Sequence, residues 1–230
     1  MVGAFSSGSP LITIVFAVAV AITVGGAYYS WYHLPKKMGE AYRRSLYTIA
    51  AAVETRDSGT IGHAHRVARH AVAVARHLAV REPELTRIER AAVLRDVGKV
   101  NIPQQLLNKR GPLNAEEWEK LKSHSRLGTE LVHAIPFLAD TGDLILHHHE
   151  AWDGNGYPNG LAGEEIPLGS RILAVATDFD AAISDRPYHQ ALPVSVALDQ
   201  IKMGSGTKYD PSVVEAFFTI VEREGRQTEQ

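Results

Sequence analysis

The chain has 230 residues, 45% of them hydrophobic and 22% charged, with a formal net charge of -2 and no cysteine. That is enough chain for one sizeable core. It excludes a disulfide scaffold and any thiolate metal site, and it excludes broad binding to a nucleic acid polymer, which needs clustered lysine and arginine.

In chain order, residues 1–10 form a short tail, followed by Leu11 to Tyr32, which carries no charged residue. As a helix this stretch spans roughly 33 Å, enough for a hydrocarbon core of about 30 Å. A signal peptide is the rival reading, but no Lys or Arg precedes the apolar run, which is longer than a usual apolar signal region. The expectation is one transmembrane helix over 11–32, with Trp31 and Tyr32 at its edge. Lys36, Lys37, Arg43 and Arg44 follow in a juxtamembrane linker, 33–44. The positive-inside rule places everything after them in the cytoplasm, as a single-pass protein of the inner membrane.

Beyond residue 44 the pattern is helical. "AYRRSLYTIAAAVETRD" and "HRVARHAVAVARHLAV" repeat apolar residues at helical spacing. Asn114 followed by Glu117 predicts a capping box. Further helices are predicted over 138–149, 169–184, 191–203 and 211–223, and no alternating strand pattern appears. "DGNGYPNGLAGEEIPLG", 153–169, must be a loop. The polar residues on these helices are the candidates for chemistry: His63, Asp96 with Lys99 one turn later, His124, and the run His147, His148, His149 ahead of Glu150. A lone core histidine is usually a hydrogen-bonded structural residue. Adjacent imidazoles crowd one another, and a shared cation would favour them.

"DSGTIGHAHRV", "LRDVGKVNIP", "KSHSRLG", "HHEAWDGNGYPNGLAGEEIPLGSRILAVA", "SDRPY" and "GSGTKYDP" occur in the order and spacing of the HD-GYP domain, a subgroup of the HD phosphohydrolases that residues 45–223 resemble. The resemblance implies an all-α helical bundle with a GYP loop, ending before a tail at 224–230. It also implies a centre of two or three metal ions, usually iron or manganese, and hydrolysis of cyclic di-GMP.

Carried over by position, the resemblance implies metal ligands at His63, Asp96, His124, His148 and His149. Ligand contacts are implied at Lys99, Tyr157 and Arg186, with His189 where the family has Arg or Lys. Asp96 and Lys99 would also be the catalytic residues of an active enzyme. Two ligand positions are lost: Arg95 stands for the histidine of the His-Asp pair and Thr177 for a late aspartate. Gly59 stands where a third-metal glutamate would be. A guanidinium about 5 Å from a dication costs on the order of 6 kcal/mol at an effective dielectric near 20, so Arg95 and a first ion should exclude each other. Arg95 would instead bind a phosphate or pair with Asp96 or Asp178. Asp178 could replace Thr177 only through a one-residue slip on its helix.

The expectation is therefore a membrane-anchored, degenerate member with one divalent ion rather than two, binding cyclic di-GMP or a related nucleotide, or a protein partner, and regulating rather than hydrolysing. An active metal-dependent phosphodiesterase and a purely structural tethered module are the alternatives.

Overall fold

The computed structural model describes residues 10–57, 61–185 and 190–228. The chain divides into two compact units, Met1–Ser45 and Leu46–Gln230. In the first, α1 (Pro10–Tyr28) is followed by a π-helical turn, Tyr29–His33. The most apolar 18-residue window of this helical stretch has a mean hydropathy of 2.3, which by length and composition alone suits a membrane span. Tyr28 stacks on Tyr32 at 5.7 Å, and the Lys37 ammonium lies 5.7 Å from the Tyr29 ring centre. The stretch expected as a linker is helical: α2 runs over Leu34–Asp57.

The second unit is all-helical, with no strand among its described residues. The elements are α3 (His63–His77), α4 (Glu84–Leu94), a 3-10 turn (Val97–Asn101), α5 (Gln104–Leu107), α6 (Ala115–Lys122), α7 (His124–His133), α8 (Gly142–Leu146), α9 (Leu168–Ala182), α10 (Val194–Met203) and α11 (Pro211–Thr228). The α3 helix is central, packing on α4, α9 and α11. Its buried face is built from Ala64, Val67, Ala68, Ala71, Val74 and Ala75, and α4 answers with Ile88, Ala91 and Ala92. Such small side chains let two helix backbones approach closely. Phe179 of α9 and Phe217 of α11 meet edge-to-face at 4.9 Å and close the other side.

The predicted capping box is present. Asn114 accepts from the Glu117 amide at 2.9 Å, and the Glu117 carboxylate accepts from the Asn114 amide at 2.8 Å. The helix expected over 138–149 is shorter, a 3-10 turn at Ala139–Thr141 and then α8, ending at Leu146. Side chains end it: His147 and His148 donate from Nδ1 to the carbonyls of Asp143 and Ile145, taking acceptors at the helix terminus.

One close approach fixes the geometry near the site. The 3-10 turn presses on α7 at Gly98, where an added Cβ would lie 1.9 Å from the His124 carbonyl oxygen. Only glycine fits there.

Candidate metal centre and ligand pocket

Three histidines converge from two elements, His124 at the start of α7 and His148 and His149 just after α8. One ring nitrogen of each lies within 4.8 Å of the others. His124 Nδ1 donates to Leu121 O at 2.7 Å and His148 Nδ1 to Ile145 O at 2.6 Å, which turns both Nε2 lone pairs inward. Both Nε2 atoms are buried without a partner. Burial, reinforced by the neighbouring imidazoles, holds His148 well below the usual imidazole range and His149 at about 3, and burial lowers His124 as well. All three are neutral at neutral pH.

Asp96 joins them, its Oδ1 lying 3.8 Å from His124 Nε2. Its two oxygens are already engaged, Oδ2 with Arg95 Nη2 at 3.2 Å and Oδ1 with Lys99 Nζ at 2.9 Å. Burial opposes the charge on Asp96, yet the Lys99 and Arg95 cations overcome it and hold its carboxyl well below the usual range. Lys99 Nζ also contacts Asp57 Oδ2 at 2.7 Å.

Arg95 is 1% exposed, so it does not reach out to a phosphate. Its Nη1 donates to Ala92 O at 2.6 Å, where a cation suits the carbonyl end of α4, and its Nε is buried without a partner. His63, Arg95, Asp96 and Lys99 share the wall of a small cavity, about 30 Å³, with Glu54 and Asp57. His63 Nδ1 lies 2.5 Å from Asp180 Oδ2, and Asp180 also accepts from Arg66 Nε at 2.6 Å. Burial would raise Asp180, but those two hydrogen bonds bring it to about 2. The Thr177 hydroxyl is buried and unpartnered. Asp178 does not replace it and does not pair with Arg95: its Oδ2 accepts from Tyr209 Oη at 2.8 Å and contacts Lys208 Nζ at 2.7 Å.

The GYP loop is held by Glu150, 4% exposed, whose carboxylate accepts from the amides of Asn159, Gly160 and Leu161 at 2.8, 3.1 and 3.2 Å. Tyr157 is thereby set against His149, ring centres 4.7 Å apart, with Lys122 Nζ 5.6 Å from the tyrosine ring. Burial pushes the Tyr157 phenol up. Arg186, His189 and Gly59 lie outside the described residues.

A family model for the HD domain matches residues 48–213. The chain belongs to the HD-domain family. The HD-domain chain is 42% identical over 179 residues to the cyclic di-GMP phosphodiesterase response regulator RpfG of Xanthomonas campestris, covering 77% of this chain and 47% of that one. It is 41% identical over 169 residues to a cyclic di-GMP phosphodiesterase of Thermotoga maritima, covering 73% and 46%. It thus spans about half the length of the curated relatives it matches. By fold it is similar to the cyclic GMP-AMP specific phosphodiesterase V-cGAP3 of V. cholerae, with a TM-score of 0.62 at 21% identity over 77% of this chain and 48% of that chain. The HD domain of the L. monocytogenes phosphodiesterase PgpH, solved in complex with cyclic-di-AMP, matches with a TM-score of 0.52 at 16% identity, covering 75% and 94%.

HD phosphodiesterases are metal-dependent, and half of the expected centre suits an ion. Two buried, unpartnered imidazole nitrogens converge with a third imidazole and a carboxylate. A buried acceptor without a donor costs about 1–3 kcal/mol, which a cation relieves. The other half is poorer in donors: the Arg95 guanidinium has no lone pair to offer, and Thr177 presents a neutral hydroxyl rather than a carboxylate.

Three residues of the site escaped the sequence reading, Glu54, Asp57 and Asp180, and Glu150 was marked only for its place after the histidine run, not for its hold on the loop. Asp180 had a signal, as an acid on the apolar face of α9 with no solvent in reach. Glu54 and Asp57 had none locally, since their partners are settled only by packing.

Proposed function

We propose that this HD-domain protein is a membrane-anchored, regulatory member of the HD-GYP type, which binds a cyclic dinucleotide at a site holding one divalent ion. The observation that carries this reading is the fully buried Arg95 beside Asp96, a fixed cation where a first ion would need a ligand. His124, His148, His149 and Asp96 would hold the remaining ion, iron or manganese by ligand type. Bound there, the ion supplies Lewis-acid polarisation of a phosphate oxygen.

The chain's own residues do the rest. Lys99 presents an ammonium, raised above its usual range because Asp96 and Asp57 outweigh its burial. Tyr157 closes one wall and Lys122 adds positive charge beside it. The relatives' cyclic di-GMP phosphodiesterase names support the nucleotide class. The uncharged run at 11–32 and the basic residues after it support a single-pass anchor with the second unit in the cytoplasm. A protein partner would read the occupied state.

An active phosphodiesterase is the second reading, favoured by the intact triad and by the Glu150-braced loop. Elemental analysis and cyclic di-GMP turnover separate the two. The regulatory reading expects about one ion per chain and no turnover in the native protein. It expects two ions only in Arg95→His with Thr177→Asp together. Two tightly held ions, or robust turnover, in the native chain would overturn it.

A further inference from the structure

Lys99 is the residue through which a phosphate would enter, yet its ammonium is already engaged on two sides. Asp96 Oδ1 lies 2.9 Å away and Asp57 Oδ2 2.7 Å away, and the lysine side chain is 18% exposed. The two carboxylates are not equivalent. Asp96 is pinned from behind by Arg95 and faces the histidine cluster. Asp57 is the last residue of α2, its side chain 27% exposed, and among the described residues it pairs with Lys99 alone.

Asp57 is not alone in holding the end of α2. Its neighbour Arg56 donates to Val100 O at 3.1 Å and Ile102 O at 3.4 Å, and Asn108 donates to Arg56 O at 3.4 Å. Three contacts besides Asp57 hold the helix end, to Val100 of the 3-10 turn, to Ile102 just past it and to Asn108 after α5. Asp57 itself holds an anion against Lys99.

We propose that Asp57 is an internal competitor for Lys99: its carboxylate occupies the place beside the ammonium that a ligand phosphate takes, so a phosphate-bearing ligand enters as the Asp57–Lys99 pair opens. An ammonium has three N–H donors, and a phosphate on the remaining one would still face two carboxylates of its own sign. Releasing Asp57 removes half of that repulsion and frees a donor. The affinity of the pocket is then set by how firmly the last turn of α2 holds its carboxylate.

The inference rests on the reading that Lys99 meets a ligand phosphate, and the test separates the two. Full-length protein in detergent, loaded with manganese, is compared with Asp57→Asn and Asp57→Glu by calorimetric titration of cyclic di-GMP. In parallel, the acylation rate of Lys99 by a water-soluble amine-reactive ester is followed by peptide mass spectrometry without nucleotide. The expected result is binding roughly tenfold tighter in Asp57→Asn, from the loss of one like charge near the phosphate, with faster acylation of Lys99. Asp57→Glu, which keeps the carboxylate, stays near the native values in both. Faster acylation with no nucleotide binding by any of the three keeps the lock on Lys99 and sinks the nucleotide reading. An unchanged acylation rate in Asp57→Asn, or unchanged affinity where nucleotide binds, overturns the proposal.

Discussion

A histidine at position 95 would lose its charge above about pH 6.5 and present a lone pair, whereas a guanidinium keeps its charge and presents only N–H donors. Arg95, where the family resemblance implies a histidine, is therefore a permanent counter-ion for Asp96 and fixes that carboxylate as an anion. Glu150 works in the opposite direction, as a buried carboxylate whose partners are three backbone amides of the loop it precedes. Replacing it by alanine leaves those amides without an acceptor, each a loss of about 1 kcal/mol or more. Glu150→Ala should lower unfolding stability by about 2–4 kcal/mol in urea at pH 7. Amide hydrogen exchange should quicken at Asn159, Gly160 and Leu161 ahead of the α3 amides. Equal protection of the loop in both proteins would show that it is held by something other than this carboxylate.

At the scale of elements, α11 begins on a cap that also ties it to α9. Asp210 accepts from the Ser212 amide at 2.8 Å and hydroxyl at 2.7 Å, with Pro211 at the first helical position, and Arg171 of α9 donates to it at 2.7 Å. Burial works against the charge, but the Ser212 and Arg171 hydrogen bonds prevail and lower the carboxyl below its usual value. A group with a lowered folded value binds fewer protons folded than unfolded, so its contribution is complete above about pH 4 and fades as pH falls further. Asp210→Asn should cost about 1–3 kcal/mol at pH 7, the range for a hydrogen bond to a charged group. The gap between native and variant melting temperatures should then narrow between pH 4.5 and pH 3. A gap that widens on acidification would reverse the sign of the argument. The capping box at Asn114, the helical periods and the His148–His149 pair were all readable in the sequence, because each depends on residues a few positions apart. Asp57 and Asp180 were not, since Lys99 and His63 are their partners across 42 and 117 positions and only the packing of α2 on the 3-10 turn and of α3 on α9 brings them together. The short α8 was also hidden, because its end is decided by imidazole donors rather than by apolar spacing.

For the molecule as a whole, the charges around Lys99 matter more as a sum than as pairs. Asp57 and Asp96 cancel Lys99 and Arg95, the Glu54 carboxylate, hydrogen-bonded by the amides of Gly62 and Ala64, leaves one negative charge over, and the imidazoles are neutral. A cyclic dinucleotide with two phosphodiester charges meets no net attraction there until a divalent ion arrives. Stripping metal with a chelator should weaken cyclic di-GMP binding by about a hundredfold, about 2.7 kcal/mol, and by reciprocity the nucleotide should tighten manganese by the same factor. Independent binding of the two, measured as equal nucleotide affinity with and without manganese, would count against the site. Coupled in this way, the site would answer to a conjunction, with neither a cyclic dinucleotide nor a metal alone filling the pocket. On the proposed reading, a cell starved of iron and manganese would register the same concentration of a cyclic dinucleotide as a weaker signal, and the neutral cluster beside Arg95 would make nutritional state part of what the site reads.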